Sequence, residues 1–368
     1  RIFFSTVHGA IETGMAGLGA AVTLERNNVD YVILEAQNYL GGRIQSLNEG
    51  STVMELGAQW LHGTENGLYQ WAQEGGLLSD QMGSEGKGLY LRDDKTVVSQ
   101  TIVDRVSDEV DLILKEMEDF SPFRIQIRLL KPQQQNRNIV LKNGYSSLVK
   151  LISSALSLDR IKLNTVVKKI RWYGGSSSDH VQHSKKHHHE LFSPPLPLLH
   201  RNMVNNIGFG AIEKIFLIFE QCWWNQSIEG FQLLWTQVTS HSTEKELGMG
   251  WIQDVTGFDV LSHEPPILVG WVGGPGAKVM QDLSEEKLAQ DCQVLLQKFL
   301  HEKVPLPKKV VRSQWNFSSL NNTVRHPVIL FAGEANSEHD FSTTHGAYHS
   351  GIDQASILVE HSKIMSKL

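Results

Sequence analysis

Long apolar runs, cysteine and an excess of positive charge are what this sequence of 368 residues lacks. No stretch approaches the roughly 18 consecutive apolar residues of a membrane-spanning helix, so no span is expected. Two cysteines, Cys222 and Cys292, are too few for a disulfide framework, a CxxC pair or a zinc site, and they fit a reducing compartment. Lys and Arg number 34 against 40 Asp and Glu, a formal net charge of −6, so there is no broad basic field for a phosphate backbone and nucleic acid is not an expected partner. The chain opens on Arg1, and no basic segment leading into an apolar one marks a secretory signal. What remains is ordinary globular usage, 40% hydrophobic and 20% charged. At about 150 residues per domain the length implies two intertwined domains or three small ones.

Gly14, Met15, Ala16, Gly17, Leu18, Gly19, Ala20, Ala21 and Val22 are small or apolar at helical spacing, and Val29 to Glu35 is a β-branched run ending in a carboxylate. With Phe3 to Val7 as the preceding strand, the unit is βαβ. Glu35 follows the glycines by about 20 residues, where a dinucleotide fold places the acid that takes ribose hydroxyls. Gly14 and Gly17 would let the backbone approach a pyrophosphate at the positive end of the helix. The fingerprint is altered, however. Glu12 stands where the first glycine is expected, and excising Ile11, Glu12 and Thr13 as an insertion restores Gly9, Ala10, Gly14, Met15, Ala16 and Gly17 in G-x-G-x-x-G order. A carboxylate in that turn would repel phosphate and weaken binding.

After Glu35 come Gly41, Gly42, Arg43 and Ile44, then Glu55, Leu56, Gly57, Ala58, Gln59, Trp60, Leu61, His62 and Gly63. This order resembles the FAD-dependent amine oxidases, and the second string resembles their polyamine oxidase branch. The resemblance implies that Gly42 and Arg43 serve the pyrophosphate, a task suited to a guanidinium fork. It also implies that the backbone of Gly57, Ala58, Gln59 and Trp60 lines the flavin, and that His62 faces the substrate and engages an amine.

In the middle of the chain Ser107 to Phe120 has the pattern of an amphipathic helix, Tyr145 to Leu156 reads as another, and Ile161 to Val167 as a short strand. By the resemblance, Val167 contacts the adenine. The polar stretch from Tyr173 to His189 reads as a solvated loop, because three consecutive imidazoles diverge and cannot close on one metal, and no metal site is expected. Pro194, Pro195 and Pro197 stop any helix. A glycine-containing turn from Ile207 to Gly210 feeds the apolar strand that carries Lys214, whose ammonium must find a water or an acceptor. In the amine oxidases that lysine holds a water against the flavin. Gly257 to Leu261 and Ile267 to Gly274 read as further strands, Ser284 to Leu300 as a helix, and the aromatics among them as core.

Val328 to Ala335 reads as a buried strand ending at Gly333 and Glu334, followed by Thr343, Thr344, His345, Gly346 and Ala347 and a helix through Ile357. This matches the second FAD motif of the amine oxidases. It implies that Gly333 and Glu334 hold ribityl hydroxyls and that Thr344 and Ala347 bring a helix N-terminus to the flavin, where it favours negative charge on reduction. Thr343 is placed on the substrate side. No cysteine lies between Phe331 and Gly351, so the FAD is expected to be non-covalent. The last three residues, Ser366, Lys367 and Leu368, form a peroxisomal address read by an import receptor.

The expected fold is therefore α/β, a discontinuous Rossmann-like FAD-binding domain (residues 1–63, 141–190 and 305–368) with an inserted α/β substrate-binding domain (64–140 and 191–304). The expected activity is oxidation of a polyamine, spermine, spermidine or an N1-acetylated form, at a carbon next to a secondary amine, with O2 as acceptor and H2O2 as product. Three stretches depart from the family pattern: 121–142, Val181 to Glu190, and Asn316 to Pro327. With the altered first turn they motivate the alternative, a truncated isoform or drifted copy of impaired activity. A histone-lysine demethylase shares the flavin motifs but usually adds interaction modules.

Overall fold

A computed structural model describes residues 10–11, 13–83, 86–120, 138–171, 192–193, 195–196, 198, 201, 210–236, 250–313, 330–337, 340 and 342–365. Phe3 to Val7, Glu12, Tyr173 to His189, Pro194, Pro197, Ile207 to Phe209, Asn316 to Pro327 and Ser366 to Leu368 lie outside them.

Strand β1 (Ala10–Ile11) runs parallel to β2 (Val32–Leu34), with Ala10 opposite Val32 and Ile11 opposite Ile33, and β2 runs parallel to β9 (Ile161–Lys162). Helix α1 (Met15–Arg26) makes the crossover. Ile11 is thus a ladder residue, paired with Ile33, rather than part of an insert. The strand expected over Ile161 to Val167 stops at Lys162. Beyond it Asn164 N–H and Thr165 N–H donate to the carbonyls of Gln37 and Glu35 at 2.9 and 2.7 Å, which turns the chain aside before Val167.

Helix α7 (Thr344–Met365) lies against α1 and runs past the expected end at Ile357. The two helices meet through glycines. A Cβ on Gly19 would stand 2.3 Å from the carbonyl oxygen of Tyr348, and one on Gly351 would stand 1.9 Å from that of Ala16. Around this crossing Leu18, Ala21, Val22 and Leu24 pack with Ile33, Tyr348, Ala355 and Val359, and with α4 (Tyr145–Ser153). The same core includes Leu68 and Ala72 of α2 (Gly67–Glu74) and Ile139 and Leu141 of β8 (Asn138–Leu141). β8 pairs antiparallel with β5 (Leu61–His62) and β6 (Leu78–Met82). Residues 67–82 and 138–140, which the boundaries above give to the substrate-binding domain, therefore pack in the same core as α1 and α7.

The second core lies under a six-stranded sheet ordered β16, β12, β15, β14, β13, β7, all antiparallel except the last pair. The strands are β7 (Leu89–Arg92), β12 (Ile212–Ile218), β13 (Gly230–Leu234), β14 (Val255–His263), β15 (Pro266–Gly273) and β16 (Lys309–Arg312). β16 was expected in the nucleotide domain, yet it is the edge strand beside β12, because its apolar Val310 completes the core under the sheet. Helix α5 (Gly274–Gln281) and helix α6 (Glu285–Phe299), the latter capped by Ser284, cover that core. Cys292 is buried there and its thiol is pushed well up by burial first and by Asp291 second, so it is inert packing. A two-strand pair, β10 (Ile170–Arg171) and β11 (Phe192–Ser193), stands apart.

Strand β12 is buried on both faces, and its period of two divides its side chains. Ile215 and Leu217 face the helix-covered core, whereas Phe216 and Ile218 face Met54 in β4 (Thr52–Glu55), the second strand of a hairpin with β3 (Ser46–Glu49), and Leu56 just after it. Helix α3 (Gln100–Phe120) begins seven residues before the expected start, and its apolar Ile102, Val106, Val110 and Ile113 are exposed.

Replacing Gly351 with Ala is expected to lower unfolding free energy by about 1–3 kcal/mol or more, since the methyl meets backbone that cannot turn away. Gly210→Ala, at a position with no atom within 4 Å of the added carbon, should leave it unchanged. Urea denaturation of the two variants checks the contrast, and equal midpoints would discard the helix crossing as a constraint.

Candidate cofactor and substrate site

The turn before α1 is open. Gly14 is the N-cap, no side chain caps the helix, no acid sits in its first turn, and a Cβ on Gly14 would meet nothing within 4 Å. Uncapped N–H groups behind a bare glycine are the donor set an anion needs. Gly17 is buried within α1, and Gly42 faces the turn, its own would-be Cβ 3.3 Å from the Gly14 Cα, at a φ of +59° that favours glycine.

Glu35, at the end of β2, is buried and its carboxylate is already engaged. Oε1 accepts from Gln37 N–H at 2.7 Å, and Oε2 accepts from the Thr13 hydroxyl and, at 3.4 Å, from the Thr13 N–H. Arg43 reaches across the chain. Its Nη2 donates to Glu334 Oε2 at 2.8 Å over a separation of 291 residues, with side chains 55% and 22% exposed. Exposure makes the pair a small contributor to stability, but it places two residues of distant motifs side by side. Glu334 does not end a strand as expected. It opens a 3₁₀ turn, Glu334–Asn336, after Gly333, while Val328 and Ile329 fall outside the described residues. Val167, beyond β9, is a half-buried loop residue.

The segment after β4 is the floor of the site. Ala58 N–H donates to the Arg43 carbonyl at 3.2 Å and Leu56 N–H to that of Gln45 at 2.9 Å. Because Lys214 shares its side of β12 with Phe216 and Ile218, its side chain is directed at this segment. The Nζ, on a residue 3% exposed, donates to the carbonyls of Glu55 and Gly57 at 2.9 and 2.8 Å and to Gln59 Oε1 at 2.8 Å, and lies 4.5 Å from the centre of the Trp271 ring. The lysine therefore does not extend to solvent. Trp271, expected in the core, is half-buried beside it, and its ring is 6.2 Å from that of Trp60. Trp60 is 9% exposed, and among the described residues its indole N–H has no hydrogen-bond partner. A buried orphan donor at that position awaits an acceptor.

His62 lies on β5 at the far end of the segment. Its Nδ1 is 3.1 Å from Asn138 Oδ1, and burial first, opposed by that hydrogen bond, holds its pKa below the ordinary 6.5. Thr343 caps α7: its hydroxyl accepts from Gly346 N–H at 3.0 Å and donates to the Asp340 carbonyl at 2.7 Å, so it is occupied in the turn. Thr344 bonds through its hydroxyl to the buried Tyr145, and Ala347 is buried on α7. Glu55, Tyr145, Asn138, Thr13 and Trp271 were not singled out from sequence. Only Glu55 carried a signal, as a carboxylate before Gly57 in the quoted string; it is buried, accepts from Tyr145 N–H and the Ser46 hydroxyl, both at 2.6 Å, and is shifted upward by burial above all.

The donors and open backbone around Gly14, Glu35, Arg43 and Glu334 suit a dinucleotide. Among the described residues no group of His, Cys, Asp and Glu is arranged to hold a metal ion, and no helix is long and apolar enough to cross a membrane.

The chain is 26% identical to the peroxisomal N(1)-acetyl-spermine/spermidine oxidase of Bos taurus, over 94% of this chain and 93% of that protein, and 25% identical to the one of Homo sapiens over the same shares. The bovine alignment runs to 479 positions against 368 residues here, so that relative carries more than a hundred residues that this chain lacks. Among solved structures, wild-type putrescine oxidase bound to putrescine superposes with a TM-score of 0.67 at 16% identity, covering 95% of this chain and 98% of that one. At that identity the likeness shows the fold, the two-domain α/β architecture of the flavin amine oxidases. The family model of flavin-containing amine oxidoreductases matches residues 15–138 and 115–359, and the chain belongs to that family.

Proposed function

We propose that this chain is a polyamine oxidase that holds FAD without a covalent bond and acts in the peroxisome on spermine, spermidine or their N1-acetylated forms. The observation that carries this reading is the meeting of Glu35, Gly42, Arg43 and Glu334 at the uncapped start of α1, with Lys214 of β12 bonded to the adjoining segment after β4 and His62 at that segment's far end. The names of the bovine and human relatives support the substrate class and the compartment, and the terminal Ser366, Lys367 and Leu368 suit the import receptor. Residues 1–63, 141–190 and 305–368 would supply the FAD domain, less β16, and the six-stranded sheet the substrate domain.

Overall, a carbon beside a secondary amine is oxidised, O2 is reduced to H2O2, and water divides the product into an aminoaldehyde and a shorter amine. FAD, when bound, supplies the two-electron acceptor. Around it Glu35 takes ribose hydroxyls, Val167 borders the adenine, Arg43 and the α1 N–H groups of Gly14 and Gly17 face the pyrophosphate, and Gly333 and Glu334 face the ribityl chain. Gly57, Ala58, Gln59 and Trp60 line the ring system, while Thr344 and Ala347 bring the positive end of α7 to it. With Asn138 Oδ1 accepting from Nδ1–H, His62 presents Nε2 to an amine N–H; Thr343 helps on the substrate side only by capping the helix. Lys214 holds the floor segment in place and is the residue against which a water would sit. The second reading, an impaired copy, is favoured by Glu12 standing in the sequence where the fingerprint expects its first glycine, and by the more than one hundred residues that the bovine relative carries and this chain lacks.

Purified protein should show the visible absorption of bound flavin and release peroxide from a polyamine. Colourless protein that takes up no FAD would decide for the impaired copy. Gly14→Ala should weaken FAD binding about tenfold, the scale of an overpacked methyl, without moving the melting temperature, because the space it fills contains no protein atom.

Lys214→Met should leave three acceptors without this donor, the buried Glu55 carbonyl and the half-buried Gly57 carbonyl and Gln59 Oε1, costing about 1–3 kcal/mol of stability, and should slow turnover. A variant as stable and as fast as the parent would remove Lys214 from the machinery.

For His62 the lowered pKa means that the folded protein takes up the proton less readily than the unfolded chain, so stability is unaffected above the ordinary 6.5 and falls as the pH drops below it. Its C2–H resonance, assigned with His62→Ala, should titrate below 6.5, and lower still in Asn138→Ala, where the one bond that raises it is gone. A midpoint at or above 6.5 would contradict the burial.

A further inference from the structure

Thr13 is fully buried where the strand hands over to α1, and three of its groups are committed. Its carbonyl accepts from Gly41 N–H at 2.8 Å, tying the first turn to the second glycine pair. Its hydroxyl and its N–H both converge on Glu35 Oε2, while Gln37 N–H takes Oε1 at 2.7 Å. Both oxygens of the acid are thus satisfied from within the chain. A buried carboxylate with donors on each oxygen gains little from a further hydroxyl, whereas one stripped of a donor gains a great deal.

We propose that the Thr13 hydroxyl occupies the place on Glu35 that a ribose hydroxyl would take, so that Thr13 sets how tightly the adenosine end of the cofactor is held. The proposal rests on the flavin reading above and concerns affinity rather than chemistry. Thr13 stabilises the protein without cofactor by giving buried Glu35 Oε2 a donor, and that contact must be shared or given up if a ribose hydroxyl takes the same oxygen.

The experiment compares the parent with Thr13→Val, which keeps the branched shape and removes the donor, and with Thr13→Ser, which keeps the donor. Binding of FAD to cofactor-free protein is read by quenching of flavin fluorescence, and thermal melting is read without FAD. Thr13→Val should bind FAD about tenfold more tightly, the order expected when a buried carboxylate regains a hydrogen bond from ligand, and should melt earlier than the parent in the cofactor-free state. Thr13→Ser should match the parent in both readouts, and in a Glu35→Gln background the gain from Thr13→Val should vanish. FAD binding that Thr13→Val leaves equal or weaker overturns the role given to Thr13 and leaves the flavin reading intact. No FAD binding by any of the proteins overturns both.

Discussion

Everything else in the molecule depends on the approach of α1 to α7, one from each end of the chain. Gly19 and Gly351 let backbone meet backbone, and the site is built at the ends of these two helices. The N-terminus of α1 fixes Gly14 and, through Thr13, Glu35 and Gly41. The turn before α7 fixes Glu334, which the Arg43 guanidinium then reaches. A wider crossing would separate those two motifs, so the packing of small residues in a core is also the positioning of a site.

The second constraint is the joining of that nucleotide-side core to the six-stranded sheet. It rests on parity. Alternation along β12 sends Ile215 and Leu217 into one core and Phe216 and Ile218 into contact with Met54 and Leu56, and the same alternation makes Lys214 the charged member of the second row. Buried there, an ammonium is tolerable only with full solvation by acceptors. The carbonyls of Glu55 and Gly57 and the amide of Gln59 provide it, and the Trp271 face completes it. The lysine thereby pins the floor of the site to the substrate-side sheet, which makes a positioning duty inseparable from any duty toward a water.

How much of this was legible beforehand follows from the range of the interactions. Local patterns carried far: the α1 glycines, the Glu35 strand end, the apolar strand around Lys214 and the helix capped by Ser284 are all set by neighbours within a few residues. The string from Glu55 to Gly63 stood out because its glycines, Trp60 and His62 follow one another at fixed spacing, and the structure places it against Lys214. What failed needed contacts from afar. Ile11 looked like an insert because only its pairing with Ile33 shows that it belongs to a strand. β16 looked like part of the nucleotide domain because nothing within Lys309 to Arg312 reveals that β12 has an open edge. The contacts of Thr13 and Trp271 were not legible for the same reason, since Glu35 lies 22 residues from Thr13 and Lys214 lies opposite Trp271 only once β12 and β15 have paired.

The polar groups of the site are, with few exceptions, already paired. Glu35 has Thr13 and Gln37, Arg43 has Glu334, Lys214 has the floor, Thr343 has the helix it caps and Thr344 has Tyr145. What stays open is backbone, at Gly14, Gly63 and Gly333, together with the indole N–H of Trp60, which has no partner among the described residues. A site arranged in this way folds without a ligand, since no cluster of buried charge waits to be neutralised. On the proposed reading, its affinity for a dinucleotide would be a difference between two sets of hydrogen bonds, those surrendered and those gained, to which a single internal donor such as the Thr13 hydroxyl would contribute.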